Sequence, residues 1–135
     1  DHYESAYKIF QKNPIRGGGT KSFRYLCNKM EFKISESSCS THPHNILMQF
    51  LSELGLVGFS FLVIFYILIG RELVNILKFN CNKEGYMFLI FSLSGLIINL
   101  FPFIPSGNFF NNWLSIIFTL NLVNYIYLRQ KYLND

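Results

Sequence analysis

His42-Pro43-His44-Asn45-Ile46-Leu47-Met48-Gln49-Phe50-Leu51-Ser52-Glu53-Leu54-Gly55-Leu56-Val57-Gly58 is the stretch on which the reading of the fold turns. Two imidazoles and an amide sit where a polar, cysteine-bearing segment gives way to an apolar run, and residues 54–70 carry no charge. A helix over about 45–69, at ~1.5 Å per residue, exceeds the ~30 Å hydrocarbon core of a bilayer, so its first turns sit in the headgroup layer. Histidine has the unperturbed pKa nearest neutrality, which makes one at a membrane rim a candidate proton handler. The plainer alternatives are an interfacial polar anchor and a helix cap, and for Asn45 capping is the stronger reading. Glu53 lies two turns below Asn45. A carboxylate at that depth is by default a functional candidate, and its plainer role is a hydrogen bond to another helix.

Composition favours a membrane. Of 135 residues 50% are hydrophobic, 18% aromatic and only 15% charged. A chain this short cannot bury three helices that are apolar all round inside a water-soluble core. The expected fold is therefore an all-α membrane protein, with a polar segment over 1–44 followed by three transmembrane helices over 45–135. The second span is expected over about 85–101 and the third over about 109–128. The connection near 70–84 carries Arg71, Lys78 and Lys83. By the positive-inside rule it is cytoplasmic, which puts the histidines on the opposite face. The turn near 102–112, with two prolines, Gly107, Asn108, Asn111 and Asn112, returns to the histidine face; Trp113 suits the aromatic belt.

The polar segment begins with a helix over His2–Lys12, where Tyr3, Ala6, Tyr7 and Phe10 follow the i, i+3, i+4, i+7 rule. Asn13-Pro14 ends it, because the residue before proline is pushed out of the α region. Arg16-Gly17-Gly18-Gly19-Thr20-Lys21 follows. Glycines let backbone amides approach an anion closely, but no strand precedes this run and the Walker spacing is absent. Net charge is +4, with seven Lys and Arg residues before the first apolar run. The aromatics fall at helical spacing and form no stacking platform, which argues against nucleic acid. A diphosphate or an anionic lipid is the better partner for a basic segment beside a membrane.

The central stretch resembles the O-antigen ligase and polymerase family of membrane glycosyltransferases. The family pattern is His, then Asn, Ser or Gln, nine residues, Gly, two residues, then Gly, Thr or Tyr. Here it reads His44-Asn45, the nine residues 46–54, Gly55, Leu56-Val57 and Gly58. Cys39-Ser40-Thr41-His42-Pro43 and the upstream Asn13-Pro14-Ile15, Gly17-Gly18-Gly19 and Phe23-Arg24 look like the same family. The resemblance is strong over the first half of the chain and loose over the second. It implies a GT-C-like enzyme of the bacterial inner membrane, multi-pass, with its active face periplasmic. Such an enzyme moves a glycan from undecaprenyl diphosphate to a lipid A core sugar hydroxyl, with inversion and without metal or cofactor. Polymerase and protein O-oligosaccharyltransferase use the same donor with other acceptors. A rival of a different class is a non-catalytic membrane component or transporter fragment that binds a lipid-linked glycan.

On this reading His44 is the catalytic residue, either general base or hydrogen-bond donor to the diphosphate, with His42, Asn45 and Glu53 in support. Arg24, Lys21, Gly17 and Gly19 are the expected diphosphate-binding residues, the glycines at the turn that presents the loop and Arg24 the best contact for its planar fork. Cys27 and Cys39 can pair as a disulfide on a periplasmic face, whereas Cys81, on the other side, is expected to stay reduced. The two cysteines and two histidines complete no recognised metal pattern. Family members are several times longer and place an essential arginine upstream of the stretch matching His2–Lys12. Residues 1–135 are therefore expected to be a C-terminal piece, inactive alone.

Overall fold

The computed structural model describes residues 1–78 and 85–133; Cys81 and the end of the basic connection lie outside them. Among the described residues five helices follow in order: α1 (His2–Lys12), α2 (Phe23–Leu26), α3 (Ile46–Lys78), α4 (Tyr86–Asn99) and α5 (Asn112–Leu133). There is no strand among the described residues. Contacts divide the chain into two compact units, Asp1–Ile64 with Phe101–Asn111, and Phe65–Leu100 with Asn112–Asp135. The sequence division at residue 44 follows the change in composition; the units follow packing.

In the first unit α1 forms over the span its pattern predicts, but it turns a different face inward. Ser5, Ala6 and Ile9 are buried, whereas Tyr3 and Tyr7 are each 49% exposed. The smaller side chains pack closely on Phe23, Cys27 and Phe32, which form the core with them. Cys27 and Cys39 are joined in a disulfide with Cα atoms 5.2 Å apart, so this small core is closed by a covalent link as well as by apolar burial.

The organising feature is a break in α3. Gly55 has φ +64° and ψ −160°, far from helical values, so the helix stops and restarts within one residue. Such a break leaves carbonyls unpaired before it and amides unpaired after it. The segment around Asn13-Pro14-Ile15 and the glycine run supplies the missing partners. Gly18 and Gly19 donate their amides to the carbonyls of Ser52 and Glu53, both at 2.8 Å, and the amides of Leu56 and Val57 donate to the carbonyls of Pro14 at 2.8 Å and Ile15 at 3.2 Å. Backbones must nearly touch for this: a Cβ on Gly55 would lie 2.5 Å from the Ile15 carbonyl oxygen, and one on Gly17 2.5 Å from the Glu53 carbonyl carbon. Gly17 and Gly55 are there for that crossing.

In the second unit α4 and α5 pack around Leu89, Leu93, Leu96 and Tyr125, with Ile76 from α3. Gly95 admits the Asn121 side chain, which would lie 2.9 Å from a Cβ there. Asn124 donates to the Ser92 hydroxyl at 2.7 Å, a hydrogen bond between α4 and α5 of the kind that polar side chains make across apolar helices. Glu72 accepts from the Tyr125 hydroxyl and the Arg129 Nε, each at 2.7 Å. α3 runs through Arg71 to Lys78, so the first part of the expected polar connection is helix instead of loop, drawn inward by Ile76 and Glu72.

One helix among the described residues, α3, is long and apolar enough to cross a membrane. Beyond the break, residues 56–78 span about 34 Å at 1.5 Å per residue, which matches the hydrocarbon core. α4, with 14 residues, is shorter than the ~20 a crossing needs.

Candidate active site at the head of the long helix

Asn45 caps α3. Its Oδ1 accepts from the amides of Leu47 at 3.0 Å and Met48 at 3.2 Å, the reciprocal of the orphan donors at a helix start. Its Nδ2 donates to the Pro102 carbonyl at 2.8 Å, tying the cap to the segment Phe101–Asn111. Gln49 makes the second tie: its Nε2 donates to Asn108 Oδ1 at 2.7 Å and its Oε1 accepts from the Phe109 amide at 3.1 Å. Phe50 packs on Phe109 and Phe110 with ring centroids 5.4 and 5.5 Å away. Asn108 is thus buried and committed to Gln49.

Immediately before the cap, His44 adopts φ +58°, a left-handed conformation uncommon for a side-chain-bearing residue and costly unless the surroundings fix it. They do: the Ser106 amide donates to the His44 carbonyl at 3.0 Å. The Ser106 carbonyl accepts from His42 Nε2 at 2.9 Å, and the Thr41 hydroxyl lies 2.9 Å from His42 Nδ1. The His42 and His44 rings are 4.2 Å apart. His2, from α1, comes within 5.3 Å of His44 and donates Nδ1–H to the Ser38 carbonyl at 3.0 Å. Three imidazoles therefore share one site. His44 is partly exposed, and its pKa is held below the ordinary histidine value by burial first, then by the charges of His42 and His2.

Glu53 is fully buried and faces away from this cluster in its bonding. Its oxygens accept from the Lys21 amide at 3.0 Å, the Phe23 amide at 3.2 Å and Gln49 Nε2 at 3.3 Å. A buried carboxylate is tolerable only when bonded in this way, and here it clamps the glycine turn onto α3. The amide of Gly17 donates to the Asn13 carbonyl at 2.8 Å, so the amides of Gly17, Gly18 and Gly19 are all used internally and the run contributes shape. Lys21, at φ +59°, has an exposed side chain, and Arg24 is half-buried. The Arg24 Nε is buried with no hydrogen-bond partner among the described residues. An open pocket of about 460 Å³ is lined by Lys12, Asn13, Pro14, Ile15 and Arg16; the histidines do not line it.

His44, His42 and Asn45 lie together at the head of α3 on supports that their place in the sequence does not mark. His2 looked like a residue of an amphipathic surface helix. Nothing in the local pattern marks Ser106, 64 residues from His42, as its anchor.

A histidine cluster held by hydrogen bonds, with a glycine turn packed on the helix behind it, stands at the head of the one helix among the described residues that is long and apolar enough to cross a membrane. The family model for O-Antigen ligase matches residues 1–63, and over those residues the chain is similar to that family. The match takes in the histidines, the glycine turn, the disulfide and the break at Gly55. No curated protein and no solved structure matches the chain.

Proposed function

We propose that the protein transfers a glycan from undecaprenyl diphosphate to a lipid A core sugar hydroxyl at the periplasmic face of the inner membrane. The observation that carries this reading is His44, constrained at φ +58° beside His42 at the head of the candidate span, within the segment that matches the ligase family. A diphosphate is already a good leaving group, so the reaction needs charge stabilisation and alignment more than bond activation. His44 handles the acceptor hydroxyl or the diphosphate. His42, Asn45 and Glu53 hold the loop and the helix start on which it sits. Arg24 is the preferred diphosphate contact, since a guanidinium binds phosphate oxygens in pairs; Lys21 adds charge from the same turn. The reaction proceeds with inversion and without a metal. Polymerase and protein O-oligosaccharyltransferase differ from this reading only in acceptor.

The test is His44→Ala in the protein as its cell makes it, with expression checked and glycan transfer measured on the lipid acceptor. A loss of about 10²–10⁴-fold is expected, the usual worth of a positioned acid–base group. Undiminished transfer at normal expression would contradict the assignment.

A further inference from the structure

The hydrogen bonds around His44 decide which of its nitrogens is free. Ser40 has a single hydroxyl proton, and its oxygen lies 2.5 Å from the His42 carbonyl, which can only accept. That proton is therefore spent. The same Ser40 oxygen lies 3.2 Å from His44 Nε2 and must act there as acceptor, so the hydrogen between them belongs to the ring. His44 is fixed with hydrogen on Nε2, and Nδ1 keeps its lone pair. Nδ1 makes no hydrogen bond to the described residues. His42 cannot substitute. Its Nε2 donates to the Ser106 carbonyl, and its Nδ1 receives the Thr41 hydroxyl.

From this we propose that Ser40 is a positioning residue that holds His44 as the Nε2-protonated tautomer, so that Nδ1 is the atom that takes the acceptor's proton. The inference rests on the glycosyl-transfer reading above and chooses between its two roles for His44. A neutral ring with its lone pair at Nδ1 accepts a proton but cannot donate one to a diphosphate oxygen. In the step itself the acceptor oxygen bonds to the anomeric carbon while that carbon's bond to the diphosphate oxygen breaks. The bonding pair leaves on the diphosphate. The hydroxyl proton passes to Nδ1, giving an imidazolium with hydrogen on both nitrogens, which then returns one proton to solvent. Ser40 keeps the Nε2 hydrogen bond throughout and stabilises the cation as it forms.

Two measurements test this. Nitrogen NMR of the histidine-labelled protein reads the tautomer without any catalysis: the expected signature for His44 is a protonated Nε2 and an unprotonated Nδ1. Kinetics with lipid-linked donor should show Ser40→Ala lowering kcat by roughly tenfold, about the worth of one hydrogen bond to a charged group, with the donor KM unchanged. Ser40→Thr, which keeps the hydroxyl, should restore most of the rate. A His44 found protonated on Nδ1 at neutral pH would overturn the proposal, as would a Ser40→Ala enzyme of unaltered kcat. If Ser40→Ala does not fold, the wild-type tautomer and the Ser40→Thr rate decide. Loss of activity in His44→Ala together with the wrong tautomer would remove this inference and leave the glycosyl-transfer reading standing.

Discussion

The titration of His44 is set by its neighbours. Burial and the two adjacent imidazoles lower its pKa from the ordinary 6.5, so the ring is neutral, and competent to accept a proton, further into acid than a free histidine. A base works only above its pKa, so the acid limb of the pH–rate profile should fall below the ordinary histidine value. Replacing His2 with Gln removes one of the positive charges that lower it. The acid limb should then move toward neutral pH while the plateau rate stays near wild type. A limb that stays in place, or moves toward acid, would show that His2 does not bear on His44. His44 itself was legible because its spacing to Asn45 and Gly55 is a pattern. Its left-handed backbone and the hydroxyl of Ser40 were not, since each depends on where a distant loop lies.

At the scale of the element, the nine residues between Asn45 and Gly55 acquire a physical meaning. They form the short helix that carries Gln49, Ser52 and Glu53 from the cap to the break, where the glycine turn closes on it. Gly55 and Gly58 read most simply as points of close helix contact. Gly55 instead interrupts the helix, which apolar periodicity cannot reveal because the pattern runs on unchanged beyond it. Glu53 looked expensive within an apolar run, and the cost is met by amides 30 and 32 residues away. The construction predicts different outcomes for two similar changes. Gly55→Ala meets both a positive φ and the Ile15 carbonyl and should lower stability by roughly 2 kcal/mol or more. Gly70→Ala has nothing within 4 Å of its new Cβ and should be neutral or slightly stabilising, since alanine is the better helix former by about 1 kcal/mol. Thermal unfolding of the detergent-solubilised protein compares them, and equal losses would argue against the crossing of backbones at Gly55.

For the whole molecule, the all-helical class, the order of elements and a membrane-type helix were readable because apolar runs and prolines are local signals. The internal geometry of α3 was not. The expected turn to a polar connection at Gly70 gave way to helix through Lys78 because Glu72 finds Tyr125 and Arg129, partners more than fifty residues off. The proposed function requires the histidine end to lie outside the bilayer on the periplasmic face and the basic connection on the other, the arrangement expected from the charge pattern. Everything proposed about the reaction depends on it, since the glycan carrier must meet its acceptor where His44 stands. Impermeant thiol labelling of intact cells tests it most directly, using a cysteine placed at exposed Gly107, next to the Ser106 that anchors the histidines, with the native Cys81 as internal reference. The account predicts that position 107 is labelled from outside and Cys81 only after the inner membrane is opened; the reverse pattern would leave the proposed transfer without a site.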